Sequence, residues 1–182
     1  MAEELIIKCC APTLAGIKAG SIFCVGKQWG QMGVELKKCI DVLKAKGLVV
    51  KSMKGCKGQR LVYVYRPNIV KLMVEDKECA CLLKNFGYCT DSTESAVNCL
   101  LNRIRIADEF PHEIGLFLGY PKEDVEGYID NKGKNYCLCG MWKVYGDKNK
   151  AERKFAAYKK CTDVYMRCYK KGSCLDKLTV RV

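Results

Sequence analysis

The stretch FPHEIGLFLGYPKEDVEGYIDNKGKNYCLCGMWKVY, from Phe110 to Tyr145, decides the fold class. Its apolar run Glu113–Leu118 predicts a strand, and the turn Gly119-Tyr120-Pro121 ends that strand and opens a helix. After the loop 131–135, the segment Cys137–Tyr145 predicts another strand. Short strands mixed with helices in this irregular order predict an α+β protein.

The rest of the chain contains further predicted strands and most of the predicted helices. Apolar and β-branched runs predict a strand or edge segment at Leu5–Lys8, a strand at Ser21–Val25, and a hairpin of Leu48–Lys54 with Arg60–Arg66. Helices are predicted over 12–19, 29–46, 68–85 (as one or two), 92–107 with Asp91 and Glu94 as a capping box, and 149–171. We therefore expect a single domain over 1–182, with about five strands in one small, mostly antiparallel sheet flanked by five or six helices.

Composition sets the class of protein. The chain has 182 residues, of which 49% are hydrophobic and 29% charged, as is typical of a globular protein with its own core. The start MAEELIIKCC lacks the basic flank and long apolar run of a signal peptide, and no stretch approaches the roughly 18 apolar residues that a membrane span needs. The sequence thus predicts a cytoplasmic protein with no membrane partner.

Four short segments of the sequence resemble those of a known family. PHEIGLFLGYP, DVEGYI and GMWKVYGD, together with CCAPTLAGIKAG near the start, resemble an uncharacterised bacterial family of about this length, found mainly in anaerobic Gram-positive bacteria. The resemblance covers the whole chain. It implies one compact unit in a bacterial cytosol and no particular activity.

Fourteen cysteines raise the question of disulfides and metals. Without an export signal we expect reduced thiols dispersed through the core, as Cys39 and Cys99 would be on apolar helix faces. Metal sites usually present cysteines two residues apart, whereas this chain has Cys9-Cys10, Cys79-x-Cys81 and Cys137-x-Cys139. Each pair also describes packed apolar positions, so no metal site is predicted.

One histidine and the early cysteines form a candidate catalytic set. Cys10 (or Cys9) precedes the helix predicted at 12–19, whose N-terminus would favour a thiolate, and His112 precedes the strand predicted at 113–118. This order, with HEIGLFLG, resembles papain-like and cell-wall-peptidase cysteine enzymes, and Asn135 is the positional candidate for the orienting group. A thiol-dependent hydrolase or transferase is therefore one hypothesis. The other is that His112 makes a turn hydrogen bond.

The second candidate site is a ligand pocket. Free backbone N–H groups at the turn Gly119-Tyr120-Pro121 would hold an anion or a cofactor phosphate, and Tyr120 and Trp142, with Tyr128 and Tyr145, would line the pocket. No nucleotide-binding motif is present, so the cofactor is unknown. The function predicted first is a small-molecule-binding or interaction module.

The charge balance bears on partners. Lys and Arg number 32 against 20 Asp and Glu, which gives a formal net charge of +12, and lysines crowd the C-terminal third. Lysine outnumbers arginine, and base recognition relies on the arginine fork. We therefore predict a solvated basic face on the helix 149–171, with an unknown small molecule or protein as the partner. Nucleic acid remains open but is not favoured.

Overall fold

The computed structural model describes residues 2–25, 29–54, 60–106 and 110–182, without the side chains of residues 29–32 and 54. Its contacts divide the chain into two units, unit 1 (Met1–Asn68 with Tyr158–Val182) and unit 2 (Ile69–Ala157). The single domain expected from the sequence stays a prediction.

One calorimetric unfolding transition for the whole chain would support a single domain, and two separate transitions would contradict it.

Unit 1 contains a three-stranded antiparallel sheet. Its strands are β1 (Gly20–Val25), β2 (Val49–Lys54) and β3 (Arg60–Tyr65), in the order β1-β3-β2. The central strand β3 is β-branched and aromatic, and its residues 62 to 65 are buried on both faces. The predicted strand at 21–25 and the predicted hairpin are thus confirmed; the hairpin's turn, residues 55–58, lies outside the described residues.

Helices α1 (Ala2–Leu14) and α2 (Trp29–Ala45) contact this sheet. Leu36, Cys39 and Leu43 recur at helical spacing and are buried, so α2 presents one apolar face to the core, and the helix predicted over 29–46 is confirmed. Gly47 follows the helix with a positive φ of 85°, a conformation that glycine adopts without strain. The hydrophobic core of unit 1 joins these residues to α1, the sheet and the C-terminal segment.

The start of the chain differs from its prediction. Residues 5–8 lie in helix α1 and do not form a strand. The helix predicted over 12–19 has the wrong bounds, because α1 begins at Ala2 and ends at Leu14. Ile6, Ile7 and Cys10 are spaced by one to four residues and buried, so the segment presents one helical face to the core. Pro12 is tolerated because it lies in the last turn, where its missing N–H removes a single helix hydrogen bond.

Unit 2 is mostly helical. Helices α3 (Pro67–Glu75), α4 (Lys77–Asn85) and α5 (Thr93–Ile106) confirm the predictions for 68–85 and 92–107. The Oδ1 atom of Asp76 accepts from the Cys79 amide and caps α4. At α5 the cap contact is made by Ser92, whose Oγ accepts from the Ser95 amide, and not by the predicted Asp91.

Two predicted strands are wrong. Residues 113–118 hold the short helix α6 (Ile114–Phe117), and α7 (Lys122–Asp130) follows as predicted. Residues 137–145 form a small antiparallel hairpin, β4 (Leu138–Cys139) with β5 (Lys143–Val144), in place of one strand. The described residues therefore contain eight helices and five strands divided between two sheets: the α+β class is confirmed, and the single five-stranded sheet is not.

The last helix is α8 (Lys148–Lys170), as predicted. Its inner side carries Phe155, Tyr158 and Tyr165, which are buried or half-buried. Across the described part of the chain, no helix combines the length and apolarity needed to cross a membrane.

Candidate ligand-binding site

Unit 2 contains a cavity of about 230 Å³ between α6, α7 and the β4–β5 hairpin. Apolar side chains from two of these elements form its inner wall: Ile114 and Leu118 from α6 and the residue after it, and Val125 from α7. Aromatic side chains form the rest of the wall, namely Phe110, His112, Tyr120, Tyr128 and Trp142. A mainly apolar, partly aromatic concavity of this kind is typical of small-molecule sites.

Helical spacing places the wall residues. Ile114 and Leu118 are four residues apart and share one face, and Val125 and Tyr128 share a face of α7 in the same way. Between the two helices, a Cβ on Gly115 would lie 2.7 Å from a Val125 methyl and 3.1 Å from the Tyr120 ring. Glycine at position 115 is therefore what allows α7 and Tyr120 to pack closely on α6.

Asp124 fixes one side of the pocket. Its carboxylate is buried, and its Oδ2 accepts from Trp142 Nε1 at 2.7 Å. Oδ1 accepts from the backbone amides of Tyr145 and Gly146, both at 2.8 Å. A buried charge is tolerated when its hydrogen-bonding capacity is used in this way. Asp124 thus ties the hairpin and the Trp142 ring to the first turn of α7.

The Trp142 ring lies between two other rings. Tyr120 stacks on it, with centroids 4.6 Å apart and 24° between planes, and Phe155 meets it edge-on at 4.5 Å. Glycine at position 140 leaves room for the Phe155 ring, because a Cβ there would overlap it. Together with the Asp124 hydrogen bond, these contacts set the orientation of the Trp142 ring before any ligand arrives.

The mouth of the pocket carries the polar groups. His112 is exposed, and its ring lies 4.7 Å from that of Tyr128. Lys143 Nζ donates to the Gly133 carbonyl at 2.6 Å and lies 5.6 Å from the Tyr128 ring centroid and 4.9 Å from that of Tyr136. Two side chains that can donate hydrogen bonds therefore stand beside an apolar interior.

A partly buried ion pair supports the segment that carries His112. Glu113, the next residue, is buried, and its Oε1 accepts from Arg103 Nε at 2.7 Å and from the Tyr88 hydroxyl at 2.9 Å. Arg103 also donates to the Phe86 carbonyl. Burial, followed by the charge of Glu113, raises the pKa of Tyr88, so the hydroxyl stays protonated and able to donate.

The structure brings together four of the residues singled out in the sequence. His112, Tyr120 and Trp142 line the same pocket, as does Tyr128. Gly119 adjoins it with φ of 81°. The free N–H groups expected at this turn are already used, since the Gly119 amide donates to Leu116 and the Tyr120 amide to Gly115. Ligand binding at these residues stays a prediction.

Cys10 stands elsewhere. It lies inside α1 rather than before a helix, it is fully buried, and burial raises the pKa of its thiol above the ordinary value. The helix N-terminus expected to favour a thiolate is thus absent at this residue. Cys10 belongs to unit 1, whereas His112 and Asn135 belong to unit 2. Asn135 is exposed in the turn before β4, and its amide donates to Asn131 at 3.3 Å.

Pairing of Cys10 with His112 stays a prediction, which thiol alkylation checks. We expect iodoacetamide at neutral pH to modify Cys10 among the last thiols, because its sulfur is buried and protonated. We expect His112→Ala to leave that rate unchanged within about twofold. Mass spectrometry of timed samples gives both rates. A Cys10 rate above that of exposed Cys139 and lowered by His112→Ala would instead support a catalytic pair.

The thirteen described cysteines are free thiols, and Cys56 lies outside the described residues. Contrary to the expectation, they are not dispersed through the core: Cys10 and Cys39 are buried, and Cys24, Cys81, Cys89, Cys137, Cys139 and Cys174 are exposed. Within the described ranges, no group of three or more Cys, His, Asp or Glu side chains converges as a metal site would. The Cys137 thiol donates to the Val144 carbonyl at 3.2 Å.

The chain belongs to the family described as "Protein of unknown function (DUF3793)", whose model matches residues 6–179. The family predicted from four short segments is thus confirmed as one without an assigned activity. Comparison with curated proteins finds no match, and comparison with solved structures finds none either.

Proposed function

We propose that the pocket of unit 2 binds a small, flat, mainly apolar molecule that carries an anionic group at one end. The observation that carries this proposal is the preset aromatic wall, in which Asp124 and Phe155 hold Trp142 and Trp142 stacks on Tyr120. Side chains held in one orientation lose little conformational entropy when a ligand binds.

The interior favours a flat, apolar body. Ile114, Leu118 and Val125 offer no hydrogen-bonding group, and the carboxylate oxygens of Asp124 already accept three hydrogen bonds. An amine or alcohol placed deep in the pocket would therefore lose water without a full set of partners. Aromatic rings meet other aromatic rings in stacked or edge-on geometries, and Tyr120, Tyr128 and Trp142 supply such rings to the wall.

The mouth favours an anionic end. Lys143 carries a cationic amine and is half-buried, and His112, which lines the same pocket, is exposed. A carboxylate beside them would accept charge-assisted hydrogen bonds. Lys143 would then exchange or share its present contact with the Gly133 carbonyl.

We further propose that the protein works in a bacterial cytoplasm, in agreement with the family resemblance. Six exposed free thiols support a reducing compartment, because exposed cysteines in an oxidising one tend to pair.

Calorimetric titration with indole-3-carboxylate, indole and cyclohexanecarboxylate tests the proposed ligand class. We expect indole-3-carboxylate to bind best, because it alone combines the flat ring with the anion. Tyr120→Ala should weaken both indoles, since it removes one ring of the wall and the stacking partner of Trp142. Lys143→Ala should weaken the indole acid by about tenfold through loss of a charge-assisted hydrogen bond and leave indole unchanged.

The matched control is Lys134→Ala, which removes an exposed lysine of unit 2 outside the pocket wall. It should leave all three affinities unchanged. Absence of heat and of saturation-transfer signals for all three probes at millimolar concentration would contradict the proposal. So would an unchanged preference for the acid over indole in Lys143→Ala.

A further inference from the structure

The net positive charge of the protein is carried by unit 1. Unit 1, which comprises residues 1–68 and 158–182, contains 19 Lys and Arg and six Asp and Glu, a formal charge of +13. Unit 2 contains 13 Lys and Arg and 14 Asp and Glu, a formal charge of −1. A surface field of this strength on 93 residues attracts polyanions and repels other basic surfaces.

The C-terminal part of α8 concentrates this charge on one face. Lys160 and Arg167 in α8 and Lys171, the residue after it, are exposed; Arg167 and Lys171 follow Lys160 by seven and eleven residues, a spacing that aligns all three along one face. They span about 16 Å at 1.5 Å per residue. We call these three residues the basic stripe. Between residues 158 and 171 the sole acidic residue is Asp163.

The opposite face of the same helix segment explains why the stripe points outward. Tyr165 and Tyr169 pack against the hydrophobic core of unit 1 and fix the rotation of the helix. A cavity of about 290 Å³ lies on the helix surface, lined by Val164, Cys168 and two members of the stripe, Arg167 and Lys171. Two residues of the basic stripe therefore line a groove on this face of the helix.

We propose that the basic stripe of unit 1 binds the phosphate backbone of duplex nucleic acid without sequence preference. Unit 1 contains 15 lysines and four arginines, and lysine acts on phosphates as a point charge whereas base reading relies on arginine. Single-strand binders stack bases on exposed aromatic rings. Among the side chains of unit 1 that the structure describes, which do not include Trp29, no aromatic ring is exposed, so the duplex backbone is the better fit.

An anionic membrane is the competing polyanion. A helix that binds a bilayer inserts a broad apolar face next to its basic residues. Beside the stripe the groove offers two small side chains, Val164 with 37% of its surface exposed and half-buried Cys168. That apolar area is too small to anchor the helix in lipid. The inference is independent of the proposed pocket, because it concerns the other unit.

The test is fluorescence anisotropy of the whole chain with a labelled 24-base-pair duplex of random sequence, from 50 to 200 mM salt. Charge reversal of the stripe, K160E/R167E/K171E, should weaken binding at 50 mM salt by roughly 30-fold or more. It should also reduce the slope of log K against log salt by about 2.7, which is 0.9 for each of three phosphate contacts.

The matched control is K77E/K84E/K150E, which reverses three exposed lysines of unit 2 and gives the same total charge. It should keep most of the affinity. Equal loss in both triple variants would overturn the proposal, because net charge alone would then explain binding. Absence of duplex binding at 50 mM salt would overturn it as well, and so would tighter binding to phosphatidylglycerol vesicles or to polyglutamate than to the duplex.

A measurement on the unaltered protein keeps the proposal testable if a variant fails to fold. Lysines are acetylated with a limiting reagent with and without the duplex and are then quantified by mass spectrometry. Lys160 and Lys171 should be protected, and Lys77 and Lys84 should react as before. Uniform protection, or none, would overturn the assignment to the stripe.

Discussion

Replacing Asp124 by alanine is expected to lower the free energy of unfolding of unit 2 by about 4 kcal/mol and to abolish binding of the indole acid. The substitution leaves the Trp142 indole N–H and the Tyr145 and Gly146 amides without their acceptor. Each buried donor left without a partner costs about 1–3 kcal/mol. Trp142 would then lose its fixed orientation, and the pocket its aromatic wall.

Urea unfolding followed by the fluorescence of Trp142, in a Trp29→Phe background, measures this effect in unit 2. Asp124→Asn should cost about half as much, because its remaining carbonyl oxygen can still accept from the two backbone amides. Asp130→Ala, at an exposed position in the same helix, should change stability by less than about 0.5 kcal/mol. A loss below about 1 kcal/mol for Asp124→Ala would show that Asp124 does not hold the hairpin.

Sequence periodicity was sufficient for the long helices that have one buried face. In α2, α5 and α8 the buried and half-buried residues recur every three or four positions, and the opposite face is mainly polar. The sequence predicts the hairpin β2–β3 equally well, because β-branched residues flank a glycine-containing segment. These elements carry their own pattern and need no knowledge of their neighbours.

The stretch 113–118 lacked such a pattern. Ile114, Gly115, Leu116 and Phe117 are all buried, so the segment is apolar on every side. Periodicity cannot distinguish a fully buried helical turn from a buried strand. What separates the two is the close approach of Val125 and Tyr120 over Gly115, a tertiary contact that local sequence does not contain.

The sequence predicts only part of the pocket, for a related reason. Aromatic residues near one turn suggested Tyr120 and Trp142, and both line the cavity. In the sequence Asp124 is only an acid near a helix N-terminus, where a negative charge is favourable, whereas its partners lie 18 to 22 residues further along the chain. The ion pair of Glu113 with Arg103 was missed as well. A buried acceptor shows its role only when the donors that fold onto it are known.

Replacing Arg66 by methionine is expected to lower the free energy of unfolding of unit 1 by about 3 kcal/mol. The guanidinium is buried and donates to the carbonyls of Thr13, Leu14 and Val180 at 2.6, 2.7 and 2.7 Å. The first two end α1, where a positive charge also interacts favourably with the helix dipole. Burial lowers the pKa of Arg66 from its ordinary value, so part of this gain is offset by desolvation.

Methionine keeps most of the side-chain volume, so the loss would report the hydrogen bonds and charge rather than a cavity. Arg66→Lys should lose about half as much, because one ammonium cannot serve three carbonyls arranged around a planar group. Exposed Arg181→Met is the control and should be close to neutral. Hydrogen exchange adds a local measurement, since the Val180 amide donates to Leu14 and the Val182 amide to Lys46. In Arg66→Met the Val180 amide should exchange faster, because the guanidinium no longer ties its segment to α1. Equal exchange in Arg66→Met and unaltered protein would mean that the C-terminal segment is held by its own backbone contacts alone.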